Sequence, residues 1–114
     1  MQENLSPGFC RIGPEQTIAD LGGRGVGSAL AYVGTRKIFH SETELRLHIG
    51  GKPGWRYVIS ITVNADCLYD IELWAMRGVN KKSLGTRGYV YAHELQETIE
   101  SLYDQVMGDD GLLV

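Results

Sequence analysis

Two stretches on either side of Asn64-Ala65-Asp66 alternate apolar and polar side chains with a period of two. In the first, Tyr57, Ile59, Ile61 and Val63 alternate with Val58, Ser60, Thr62 and Asn64. In the second, Tyr69, Ile71, Leu73 and Ala75 alternate with Asp70, Glu72, Trp74 and Met76. A period of two puts every second side chain on one face of a strand, so residues 57 to 76 read as an antiparallel hairpin with one buried face. Leu45, Leu47 and Ile49 alternate with Glu44, Arg46 and His48 in the same way, and Gly50, Gly51, Pro53 and Gly54 close that strand.

An apolar sheet face must be covered by a second layer. The chain supplies one near its end, where Leu95, Ile99, Leu102, Val106 and Met107 follow one another at steps of four, three, four and one, the stripe of an amphipathic helix stopped by Gly108. Its other face carries Glu94, Glu97, Glu100 and Asp104. Ile61, Leu73, Ile99 and Leu102 are therefore expected to be buried together. Pro14 at a first helical position, Ile18 and Leu21 three apart, and Gly22 beyond the end predict a short helix over residues 14 to 21. Small and apolar residues from 28 to 33 suggest a strand turned by Gly34-Thr35-Arg36. Residues 78 to 88 read as a polar loop and 89 to 91 as a brief edge strand. The expected fold is α+β: an antiparallel sheet of four to five strands, with a short N-terminal helix and a C-terminal helix packed on one face. Residues 1 to 13 would form a flexible arm, 14 to 108 a single domain, and 109 to 114 an acidic tail.

With 114 residues and a net charge of -3, the chain is one domain long and is not a polybasic protein. Cys10 and Cys67 fit neither a disulfide framework nor a zinc spacing, which suggests a reducing cytosol. No run approaches the roughly 18 apolar residues of a membrane span, and residues 1 to 10 do not read as an export leader. Gly22-Gly23-Arg24-Gly25-Val26-Gly27-Ser28 invites comparison with a phosphate-binding loop, but Gly27 stands where such a loop needs Lys, and a helix precedes it where a strand should. His40, His48 and His93 have no metal-ligand spacing. Asp70 and Glu72 lie two apart on one strand face, where an ion pair with Arg46 is a commoner outcome than paired-carboxylate chemistry. No constellation specifies a reaction, a metal or a cofactor, so the expectation is a protein that is not an enzyme.

Charge is more informative. Residues 24 to 87 hold ten Lys and Arg against five Asp and Glu, whereas residues 93 to 114 hold six acids and no base. If the sheet's outer face is open, Arg46, Arg56, Trp74, Met76, Lys81 and Lys82 form a surface that mixes cations with apolar and aromatic area. That mixture suits a protein interface, where Arg and Trp are enriched, or single-stranded nucleic acid. Val58, Trp74 and Met76 on that face, or the apolar run at 89 to 91 along an edge, would also serve a homodimer.

Four segments together resemble a family of small tailed-bacteriophage proteins. They are Leu21-Gly22-Gly23, residues 31 to 39, residues 57 to 64 followed by Leu68-Tyr69-Asp70-Ile71-Glu72, and Val90-Tyr91-Ala92-His93-Glu94-Leu95-Gln96-Glu97. The resemblance spans residues 15 to 107 and implies a phage origin and this fold, with no catalytic residues to carry over. The function it suggests is a non-enzymatic, phage-encoded protein that binds a host or phage protein in the bacterial cytosol and inhibits a host defence system. A nucleic-acid or nucleotide binder using the basic loop and open sheet face is the alternative.

Overall fold

A computed structural model describes residues 12–41, 43–51 and 53–108. The elements run α1 (Pro14–Asp20), α2 (Ala29–Tyr32), β1 (Thr35–His40), β2 (Glu44–Ile49), β3 (Arg56–Val63), β4 (Tyr69–Arg77), β5 (Asn80–Val90) and α3 (Leu95–Tyr103). A 3-10 turn, Ala92–Glu94, leads into α3, and a π turn, Asp104–Gly108, ends it. The strands form one antiparallel meander in the order β1-β2-β3-β4-β5, and the helices cover one of its faces.

The hairpin lies where its alternation places it, with Ile59 opposite Leu73 and Ile61 opposite Ile71. Asn64 closes the turn as an Asx motif: its Oδ1 accepts the backbone N–H groups of Asp66 at 2.8 Å and Leu68 at 3.2 Å. Ile61, Leu73, Ile99 and Leu102 are all buried in one cluster, together with Ile18, Leu21 and Val33 from the N-terminal half. Gly85 lets α3 approach the sheet, because a Cβ there would lie 2.8 Å from Leu102 Cδ1. The Tyr69 hydroxyl donates to Asp20 Oδ2 at 2.6 Å, which ties β4 to the end of α1. Burial first, and then this bond to a carboxylate, hold the phenol's pKa above its ordinary value.

Three segments differ from the sequence reading. Residues 29 to 32 are helix instead of strand: Ser28 Oγ accepts the Ala31 N–H at 3.3 Å and donates to the Gly25 carbonyl at 2.7 Å, an N-cap that favours a helical turn of Ala, Leu, Ala and Tyr. Thr35 and Arg36, expected in a turn, begin β1. The expected loop at 78 to 88 is mostly β5, joined to β4 by the two-residue turn Gly78-Val79. Gly78, at φ +62, supplies the positive φ that a type II′ hairpin turn needs at its first central position.

The glycine segment after α1 is a connector. Gly22, Gly23 and Gly27 all have positive φ, and Gln96 Nε2 on α3 donates to the Gly27 carbonyl at 2.8 Å. Of the expected arm and tail, residues 1–11 and 109–114 lie outside the described residues. Ile12 packs against the core, and Gly13 is the N-cap of α1. Cys67 is disulfide-bonded, which corrects the expectation drawn from cysteine spacing and takes away the cysteine argument for a reducing compartment.

Candidate binding face of the sheet

Strand register arranges the face away from the helices in four rows. Glu44, Thr62 and Asp70 form the first; Phe39, Arg46, Ser60, Glu72 and Thr86 the second. Lys37, His48, Val58, Trp74 and Ser83 form the third, and Arg56, Met76 and Lys81 the last. Carboxylates thus gather at one end of the strands and cations at the other, with Arg46 between them.

Trp74 is the centre of this face. Although no helix among the described residues lies over it, only 7% of its surface is exposed, and its Nε1–H donates to Ser60 Oγ at 2.9 Å. Lys81 Nζ sits 4.5 Å from the ring centroid and Arg46 Cζ 6.0 Å from it, so long cationic side chains cover the indole by cation–π contact and by their methylene stems. Each cation also meets a carboxylate: Arg46 Nε donates to Glu44 Oε2 at 2.9 Å, and Lys81 Nζ lies 3.9 Å from Glu72 Oε1. Around Trp74 the face is hollowed into a depression of about 460 Å³, lined among the described residues by strand residues of β2 to β5, including Ser60, Thr62 and Thr86.

Toward β1, Phe39 is half-exposed and its ring lies 4.7 Å from that of His48. Burial holds the His48 pKa below the ordinary histidine value, and the neighbouring Arg46, Arg56 and Lys37 charges lower it further.

Of the six sequence-predicted residues, Arg46, Trp74 and Lys81 meet in one cluster, and Arg56 and Met76 lie on the same face in the last row. Lys82 is not with them. It pairs with Ala75, whose side chain is in the core, and so belongs to the helix side of β5. Ser60 and Glu44 are functional neighbours that the sequence reading passed over. The signal for Ser60 was its place on the polar phase of the hairpin, two residues after Val58 and opposite Glu72.

Asp70 and Glu72 have separate partners. Asp70 Oδ1 accepts Asn64 Nδ2 at 3.3 Å and the Tyr89 N–H at 3.1 Å, while Glu72 faces Lys81. The expected pairing of Arg46 with these two acids gives way to its same-strand bond to Glu44. His93 stacks on Tyr91 with ring centroids 5.8 Å apart, far in sequence and register from His48. Among the described residues, no group of three His, Cys, Asp or Glu side chains is placed to hold a metal ion. No family model, curated protein or solved structure matches this chain.

Proposed function

We propose that this is a non-enzymatic binding protein that docks a partner protein on the open face of its sheet. The single observation that carries the reading is the shaped surface around Trp74: a depression of about 460 Å³ in which polar groups of both signs surround a rigid, hydrogen-bonded indole. Mixed charge over a buried aromatic suits a protein interface, where Arg and Trp contribute most when solvent is excluded from them. The sequence resemblance to small phage proteins supplies the biological setting, in which the partner is a host or phage protein and inhibition of a bacterial defence system is the role. Among the described residues no helix is long and apolar enough to cross a membrane.

A second reading, single-stranded nucleic acid, is favoured by the cations Lys37, Arg56 and Lys81 at one end of the face. It has less support, since both cations nearest Trp74 already cover its ring and three carboxylates share the depression. Affinity capture from bacterial lysate tests the first reading. A captured protein should be lost with Arg46→Glu and with Lys81→Glu, and kept with Glu15→Lys on the remote helix α1. Capture unaffected by both face variants overturns it. Oligonucleotide binding that weakens steeply with salt and is lost in the same variants would support the second.

A further inference from the structure

We propose that the groove between the outer edge of β1 and helix α2 binds a small diphosphate-bearing anion, held by Arg24, Arg36 and Lys37. The groove measures about 440 Å³ and is lined by residues 35 to 38 of β1, by Leu30 and Ala31 of α2, and by Arg24 of the glycine connector. Neighbouring residues of a strand point to opposite faces, so four consecutive lining residues place the groove along the strand's outer edge. Its volume lies in the range of small-molecule sites, about 300 to 1,000 Å³.

Charge separates this groove from the depression around Trp74. The depression mixes cations with the carboxylates of Glu44, Asp70 and Glu72, whereas the described residues lining the groove include three cations and no acid. On a chain of net charge -3 this is a concentrated patch. Among the described residues Arg36 and Lys37 enter no ion pair, and Arg24 has one, to Glu15 at 3.2 Å. Both partners of that pair are exposed, so it is weak and an incoming anion can displace it.

The backbone seats these cations. Arg36 is the extra residue of a bulge, since Thr35 faces Ile49 and Lys37 faces His48, and bulges re-aim side chains. Its guanidinium rests on Gly50, where a Cβ would lie 2.9 Å from Arg36 Nη2. Arg24 stands between Gly23 and Gly27, both at positive φ, in the connector that Gln96 fastens to α3. Thr35 adds an independent sign, for its Oγ1 is buried and, among the described residues, has no hydrogen-bond partner. Such atoms are rare, and turning about χ1 would offer this one to an oxygen in the groove that Thr35 lines.

Two guanidinium forks and an ammonium match the oxygens of a diphosphate better than a single carboxylate, which occupies only one fork. Leu30, Ala31 and Ile38 give apolar surface to whatever the diphosphate carries.

NMR titration of the whole chain with pyrophosphate, ADP and adenosine tests the site. Pyrophosphate and ADP should both move the backbone amide signals of Arg24 and of residues 35 to 38, saturably and in the millimolar range or tighter, while adenosine alone moves none. Tighter binding of ADP than of pyrophosphate assigns the site to a nucleotide, and equal binding assigns it to the free anion. Arg24→Gln and Arg36→Gln should each weaken binding about tenfold, and Lys82→Gln, at the other edge of the sheet, should leave it unchanged. All three positions are exposed, and circular dichroism confirms that each variant is folded. The absence of a saturable shift at these amides with either phosphate probe overturns the proposal. So does full affinity in either arginine variant, or an equal loss in Lys82→Gln, which would mean attraction by overall charge. Binding of an oligonucleotide through these residues without binding of either small anion overturns it as well. Arg24 and Arg36 lie outside the face around Trp74, so failure here leaves the docking role of that face untouched, and the reverse also holds.

Discussion

On the helix side of the sheet, Leu47, Ile59 and Leu73 lose all solvent contact beneath α1, α2 and α3; on the other side, Val58 and Trp74 are nearly as buried, and among the described residues strand side chains surround the depression beside Trp74. The first face is closed by apolar surface from distant parts of the chain. The second is closed by long charged residues of neighbouring strands, Arg46 and Lys81 among them, which lie over an indole that keeps its own hydrogen bond to Ser60. Covering of the second kind costs side-chain entropy, gains little from exposed ion pairs, and can be displaced by another surface. That is the physical reason to place stability on one face and binding on the other.

The largest expected effect breaks the helix-covered face. Leu102 is 1% exposed and seats over Gly85, so Leu102→Ala should destabilise the domain by about 2 to 5 kcal/mol, measured by chemical denaturation. A loss below about half a kcal/mol, far short of the usual range for such a truncation, would show that α3 is not the lid.

The next effect sharpens the comparison on the open face. Ser60→Ala removes the acceptor of a buried indole N–H and should cost about 1 to 3 kcal/mol in chemical denaturation. A cost below about half a kcal/mol would mean that water from the depression reaches Trp74 Nε1, and that the cationic cover over the ring is porous.

The same contrast explains what could be read from the sequence. The hairpin of β3 and β4, strand β2 and the stripe of α3 were legible because one face of each meets the deep core, and burial writes its period into the residue types. β5 was not, since as an edge strand it has Asn80, Lys81, Lys82 and Ser83 where a central strand would carry apolar residues, and irregularities opposite Leu73–Trp74 and Tyr69–Ile71 break its period. α2 was lost for a different reason: a single turn is too short to show a period, and the cap at Ser28 that decides it is a local hydrogen bond. For the site, the sequence brought out Arg46, Trp74 and Lys81 as residue types. That they would meet while Lys82 turned away depended on the register of β5, which only pairing with β4 sets.

The smallest effect concerns the basic end of the open face. His48 is partly buried between Phe39 and the charges of Arg46, Arg56 and Lys37, and its pKa lies below the ordinary histidine value of about 6.5. As pH falls, the unfolded chain takes up this proton before the folded one does. The stability His48 contributes is therefore complete above about pH 6.5 and is lost as pH drops from there through its folded pKa. An NMR titration should place the His48 ring protons below that ordinary value, and Arg46→Gln should move the midpoint upward by only part of the difference, because burial is the larger cause and the arginine the second. Full recovery in Arg46→Gln would mean that the imidazole is not desolvated by its neighbours at all, and that this end of the face is open to water in a way the Trp74 end is not.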